Sequence, residues 1–311
     1  MAAVLTITLN PTIDVFSEAD RVQPTHKVRL KDTSYEPGGG GINVARVISA
    51  LGGGVEALAL SGWEMGDFLG RLLKAEGIAW TPIPIAGETR VALMVHDRST
   101  GLEYRFLPEG PEVRGHEIDA CADAVARKTD GFVVASGSLP RGAPADSYVR
   151  LAQAAARNGL PFVLDTSGAA LKAALNHGGI FLVKPSQSEL ESYAGHELDA
   201  AGIEAAARAI IAAGQARMVA VTLGAGGAVL ATADRLLRLP AMTVAVRSAV
   251  GAGDSFLGAM VWALSRGWEI DRAFLLAMAA GAAATANSGT SLCRREDVFA
   301  LFATAGGRQP P

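Results

Sequence analysis

The segment Val250-Gly251-Ala252-Gly253-Asp254-Ser255-Phe256 joins two glycines to an acid at the mouth of an Ala/Leu-rich helical run. The glycines let backbone come close to a ligand. A helix start gathers unpaired N–H groups and the positive dipole end, which suits a phosphate. A carboxylate at that place repels a resting phosphate. It has a use if a hydroxyl must lose its proton while attacking that phosphate, so Asp254 reads as a general base. A plain N-cap at Asp254 or Ser255 is the alternative.

A second segment, Pro37-Gly38-Gly39-Gly40-Gly41-Ile42-Asn43-Val44-Ala45-Arg46, runs four glycines straight into a helix with apolar positions Ile42, Ala45, Val47 and Leu51. Backbone can pack against a ligand there, and Asn43 offers both a donor and an acceptor. A hinge or a crowded helix crossing would also use such glycines. The run is not a dinucleotide fingerprint, and no Gly-Lys-Ser/Thr marks a Walker A loop.

A third, Lys184-Pro185-Ser186-Gln187-Ser188-Glu189, follows the apolar run 180–183. Ligands of open α/β sheets gather at such strand ends. Lys184 can reach a nucleotide phosphate, and Glu189 can hold a hydrated Mg²⁺. Ser186-x-x-Glu189 also fits a capping box, and the two readings are compatible.

Asn10-Pro11-Thr12-Ile13-Asp14, Ser136-Gly137-Ser138-Leu139-Pro140 and Thr222-Leu223-Gly224-Ala225-Gly226-Gly227 end other apolar runs, on the expected ligand side. Lys27, Arg29, Arg90 and Arg105 fall on polar-alternating stretches. They are solvated strand charges, or a grip on an anionic substrate. His26, His96, His116, His177 and His196 have no ligand spacing, so zinc is not indicated. Cys121 and Cys293 have no motif around them and read as packing residues.

These groups need a scaffold, and the composition supports one. Half of the 311 residues are apolar and 19% are charged, which excludes a disordered chain. The net charge of −3 leaves no basic surface for nucleic acid or a membrane. The longest apolar stretch, about 273–286, is too short and too rich in Ala and Gly to span a bilayer. Two cysteines without a disulfide framework and a start without a charged leader suggest the cytoplasm.

Apolar runs at 4–9, 131–136, 161–165, 180–183 and 218–222 read as buried strands. Helical stretches near 144–159, 167–176, 187–194 and 201–213 separate the later ones. A hairpin at 227–239 and helices near 253–266, 269–287 and 295–304 complete the chain. This rhythm predicts a doubly wound, mostly parallel α/β sheet in a single domain over 1–311. Polar-alternating strands at 25–36, 89–96 and 102–107 predict a small β-sheet lid, drawn from about 15–36 and 88–107. Its apolar face needs a cover: a ligand, a partner subunit, or both.

Taken together, the motifs resemble the ribokinase-like (PfkB) carbohydrate kinases over about residues 4–304. The resemblance rests on Gly40-Gly41-Ile42-Asn43-Val44-Ala45 with Gly52 and Gly62, on Gly251-Ala252-Gly253-Asp254, and on 137–140, 165–168, 183–185, 248–255 and 287–290. It implies a ribokinase-like fold and ATP-dependent phosphorylation of the C1 hydroxyl of fructose 6-phosphate. Tagatose 6-phosphate or fructose 1-phosphate as acceptor, and a sugar- or nucleotide-binding regulator without turnover, are the alternatives. Asp254 would be the base, with the anion hole at Gly251, Ala252 and Gly253. Asp14, Gly39, Gly40 and Asn43 would hold the sugar. Lys27, Arg90 and Arg105 would bind its 6-phosphate, with Ser138 nearby. Lys184, Ser186, Thr222, Gly224 and Gly226 would meet ATP, and Glu189 would organise Mg²⁺ through water. Ser248, Val250, Ala284, Asn287, Gly289 and Ser291 match a monovalent-cation site for K⁺. The lid would mediate a homodimer. Two positions depart from the common family pattern: Ser186 stands where Asn is usual, and Ser248 where Asp is frequent.

Overall fold

In the computed structural model, residues 4–287 and 292–308 are described. The β-branched run at the start forms strand β1 (Val4–Thr8), buried on both faces. Such a strand must lie mid-sheet, and β1 pairs in parallel with β4 (Val55–Ser61) on one side and β8 (Phe132–Ser136) on the other. Beyond β4 lies β5 (Ala79–Pro84) at the edge. Beyond β8 follow β9 (Phe162–Asp165), β10 (Ile180–Val183) and β11 (Ala216–Thr222), all parallel. The hairpin β12 (Ala228–Ala231) and β13 (Leu236–Leu239) finishes this nine-stranded sheet, with β12 antiparallel to β11. The order reverses at β1, so the crevice beyond the carboxyl ends of β1 and β8 is where a ligand belongs.

Alternate side chains feed two cores. Leu5, Ile7, Val133, Leu164 and Val219 pack under α3 (Gly115–Ala126), α4 (Ser147–Arg157), α5 (Gly168–His177), α6 (Gln187–Ala194) and α7 (Ala200–Ala212). Val4, Val134, Val163 and Leu182 pack on the other face against α1 (Gly40–Ala50), α8 (Ala252–Leu264), α9 (Ile270–Thr285) and α10 (Arg295–Thr304). The doubly wound arrangement follows from this alternation. Among the described residues, no helix is long and apolar enough to cross a membrane.

The small sheet has the order β3-β2-β6-β7, from β2 (Thr12–Ala19), β3 (Leu30–Gly38), β6 (Arg90–Asp97) and β7 (Glu103–Phe106). It consists of two hairpins laid side by side, because β2 runs parallel to β6. Ile13 and Val15 anchor it on Ile42 and Ala45 of α1 and on Leu69 and Leu73 of α2 (Trp63–Ala75).

Three details depart from the sequence reading. β3 starts at Leu30, so Lys27 and Arg29 lie in the loop before it. Pro24 has no N–H to give a ladder and Thr25 takes φ +64°, so the chain turns there instead of extending. Asp14 sits within β2, not in a turn closing β1, because residues from Thr12 onward pair on both sides. Sequence periodicity leaves 53–84 unassigned, yet β4, α2 and β5 fill it. Pro82 and Pro84 mask β5, and both are tolerated because that strand is an edge.

Candidate active site

Two helix N-termini meet above the crevice. Gly251, at φ +72°, turns the chain into α8. The first main-chain N–H groups of that helix, from Ala252 to Asp254, have no intrahelical acceptor; the ladder begins with Ser255 N–H to Gly251 O at 2.8 Å. Asp254 therefore rises from the start of a helix that presents bare N–H groups and a positive dipole end. Its carboxylate accepts from Asn43 Nδ2 at 2.9 Å. Burial pushes the Asp254 carboxyl up to about 6, and Asp165 and Asp14 add to the rise. The Asn43 hydrogen bond and the Lys184 charge oppose it.

Asn43 is delivered by α1, whose N-terminus is pressed onto the ends of β1 and β8. A Cβ at Gly40 would collide with Ser136 Oγ and stand 2.8 Å from the Ser136 carbonyl carbon. Gly39 caps the helix, and Gly41 lies against the Ile7 carbonyl. The glycine run is thus a close crossing in this structure, and the same crossing lines the crevice with Gly39, Gly40 and Asn43.

Lys184, at the end of β10, is 4% exposed. Its Nζ lies 3.1 Å from Asp165 Oδ2, and Gly253 approaches it so closely that an added Cβ would stand 3.3 Å from Nζ. Burial works against the ammonium, but Asp165 outweighs it and holds Lys184 above its ordinary range. Ser186 and Glu189 form the capping box: Ser186 N–H donates to Glu189 Oε2 at 2.7 Å and Glu189 N–H to Ser186 Oγ at 3.3 Å. Thr222 N–H donates to Pro185 O at 3.0 Å, which sets Thr222 and the Gly224–Gly226 turn beside the 184–189 segment.

The lid contributes from above. Thr12 pairs with Arg90, Asp14 with Ala92, and Met94 with both Phe16 and Arg105, so Asp14, Arg90 and Arg105 share one face. Burial pushes the Asp14 carboxyl up to about 6, against the pull of the Thr12 hydroxyl and of Arg46. Arg90 is half-buried; its Nη1 donates to Pro108 O at 2.8 Å and its Nη2 to Asn10 O at 3.0 Å. Lys27 and Arg105 are exposed, and Lys27 is not brought onto that face by strand pairing. Ser138 lies exposed on the loop after β8.

Residues 247–250 are pinned to the end of α9. Arg247 and Ser248 N–H donate to Thr285 O at 2.8 and 3.3 Å, and Asn287 N–H donates to Ala284 O at 3.1 Å. Ser248, Val250, Ala284 and Asn287 thereby share one neighbourhood beside the start of α8. Gly289 and Ser291 lie outside the described residues. Among the described residues no cluster of three His, Cys, Asp or Glu side chains could cage a metal. Glu189, with one oxygen on Ser186 N–H and the other without a hydrogen bond among the described residues, suits a cation held through water.

Two residues gained no role from sequence. Asp165 closes β9 just as Lys184 follows β10, and strand-end position is the signal that finds it. Asn10 was visible only as part of a turn.

The family description "pfkB family carbohydrate kinase" matches residues 5–297. ATP-dependent 6-phosphofructokinase isozyme 2 of Mycobacterium tuberculosis (strain ATCC 25618 / H37Rv) is 41% identical over 305 residues, covering 97% of this chain and 89% of that protein. The protein of the same name from Escherichia coli (strain K12) is 36% identical over 305 residues, covering 97% and 99%. A crystal structure of phosphofructokinase-2 from Escherichia coli in complex with potassium superposes with a TM-score of 0.95 at 35% identity, over 98% of this chain and 100% of that one. With a family match over residues 5–297 and relatives 41% and 36% identical over 97% of its length, the chain belongs to the pfkB family of carbohydrate kinases.

Proposed function

We propose that this kinase transfers the γ-phosphoryl group of ATP to the C1 hydroxyl of fructose 6-phosphate, giving fructose 1,6-bisphosphate. The observation that carries the reading is Asp254: a half-buried carboxylate on the first turn of α8, held by Asn43 at the point where bare N–H groups gather. The substrate follows the names of the two relatives at 41% and 36% identity.

In this reading Asp254 takes the proton of the C1 hydroxyl while the C1 oxygen bonds to the γ-phosphorus. The bond from that phosphorus to the bridging oxygen of ADP breaks. The N–H groups of Gly251, Ala252 and Gly253 receive the charge on the transferring group. Asp14, Gly39, Gly40 and Asn43 orient the sugar hydroxyls. Arg90 and Arg105 receive the 6-phosphate, with Ser138 at the rim and Lys27 reaching in from its loop. Lys184, Ser186, Thr222, Gly224 and Gly226 line the nucleotide side. Glu189 is suited to hold Mg²⁺ through water, and a magnesium ion would neutralise phosphate charge there. Oxygens from Ser248, Val250, Ala284 and Asn287, with Gly289 and Ser291, would take K⁺.

The lid's outer face supports a homodimer. Leu30, Tyr35, Val91 and Phe106 are exposed large apolar groups on or beside a shallow hollow lined by Leu93, Val95 and Tyr104. Two buried, unpaired cysteines suit the cytoplasm.

The test is coupled ADP release over fructose 6-phosphate, tagatose 6-phosphate, fructose 1-phosphate and free fructose. The highest kcat/KM is expected for fructose 6-phosphate. A preference for another acceptor replaces that substrate, and absence of turnover with every acceptor removes the enzymatic reading.

A further inference from the structure

The phosphate-facing arginine of the lid is held by a residue that no motif singles out. Arg90 opens β6, and its guanidinium is tied to two main-chain carbonyls: Asn10 O through Nη2 at 3.0 Å and Pro108 O through Nη1 at 2.8 Å. Those carbonyls belong to the β1–β2 and β7–α3 connections, two of the crossings between the lid and the large sheet. A third hydrogen bond joins them: Asn10 Nδ2 donates to Glu109 O at 3.0 Å. Asn10 is 5% exposed. Its amide orientation is fixed by that carbonyl, since the reverse would set oxygen against oxygen. Gly110 presses on the other side, where a Cβ would collide with Asn10 Oδ1.

We infer that Asn10 is a positioning residue for Arg90, through which it sets affinity for the phosphate of the sugar. Asn10 supplies one of the two carbonyls that aim the guanidinium. Through Glu109 it fixes the peptide next to the other. Arginine has a long side chain with several soft torsions, and ordering it on binding weakens affinity. Holding the fork in place beforehand removes that loss. Removing the Asn10 amide loosens the 108–110 connection, which then keeps only the exposed Arg141 contacts to Glu109 and Gly110 O, and with it the Pro108 carbonyl, while Asp254 and the α8 loop stay as they are. The role is one of substrate affinity and not of the chemical step. It rests on the reading of Arg90 as a contact to the 6-phosphate.

A double-mutant cycle separates the two claims. Asn10→Ala is expected to raise KM for fructose 6-phosphate roughly three- to tenfold, the scale of one lost buried hydrogen bond. The kcat and the KM for ATP should stay within about twofold. Asn10→Leu, which fills the volume but cannot donate, should match it, so a cavity is not the cause. In an Arg90→Ala background, Asn10→Ala should add nothing further, because residues acting as one unit are not additive. Thermal melting of each variant checks folding. Unchanged KM in both Asn10 variants, a matching fall in kcat, or effects that multiply in the double variant overturn the inference while leaving Arg90 its role. An Arg90→Ala variant with unchanged KM for the phosphorylated sugar overturns the phosphate reading, and the inference with it.

Discussion

The side-chain amide of Asn43, on the first turn of α1, donates to the carboxylate of Asp254, on the first turn of α8, at 2.9 Å. The two residues come from opposite ends of the chain, and each stands at a helix start bounded by glycine. The contact orients the Asp254 carboxylate and stabilises its ionised form, against burial that favours the neutral one.

That balance predicts a pH profile. The Asp254 carboxyl lies near 6 in the folded chain, above the ordinary carboxylate range, so folding favours its protonated form. Its ionisation therefore costs stability above about pH 6, and the cost is relieved as pH falls. Activity runs the other way, since the base must be ionised. The kcat/KM should fall below about pH 6, with Asp14 coupled to the same limb. Asn43→Leu should move this limb to higher pH. Asp254→Asn should lower kcat by at least about 10²-fold with sugar binding retained. A flat profile between pH 5 and 7, or a loss of only a few-fold in Asp254→Asn, would take the base role away from this residue.

Lys184 and Asp165 form a buried ion pair, with side chains 5% and 14% exposed. Lys184→Met leaves a carboxylate in the interior without its partner. The cost should be roughly 3 kcal/mol, or a drop in Tm on the order of 5–10 °C. Asp165→Leu combined with Lys184→Met should recover part of that loss while the KM for ATP stays raised. Calorimetry of the single and double variants tests the pair, and equal Tm values throughout would show the two charges to be uncoupled.

Gly40→Ala drives a methyl group into Ser136 and should cost about 1–3 kcal/mol as α1 lifts from β8. The sugar KM should rise with it, because Asn43 rides on the same helix. Gly54→Ala is the control, since nothing lies within 4 Å of its added Cβ. Denaturant unfolding of both variants reads the difference. If they match, the crossing at Gly40 has room to spare.

Phe106 is 56% exposed and Leu30 41% on the lid's apolar face. Phe106→Asp with Leu30→Asp should turn a dimer into a monomer in sedimentation velocity, with Tm of the large sheet nearly unchanged. A wild-type chain that sediments as a monomer at micromolar concentration would remove the dimer reading.

Much of this was readable from residue order. The Ile180–Val183 strand and the Gln187–Ala194 helix fall where apolar runs and the Ser186-x-x-Glu189 cap put them. Glycines 251 and 253 marked the place where α8 begins. Lys27 was misplaced, since alternation over 25–36 imitates a strand through a loop that Pro24 and Thr25 bend. The β4–α2–β5 stretch was silent because Pro82 and Pro84 hide an edge strand. Asp165 and Asn10 act through partners distant in sequence, and no local pattern reports such a contact.

The parallel seam between β2 and β6 also orders assembly in time. Each lid hairpin closes on near neighbours in the chain, but Thr12 must find Arg90 across α1, β4, α2 and β5. On a chain synthesised from its N-terminus, the first hairpin waits with a bare edge until the second has emerged. The four-stranded sheet is thus among the non-local, slow-forming parts of the molecule. Until then the unpaired edge of its first hairpin is a template for pairing with another chain, which exposes the nascent protein to aggregation.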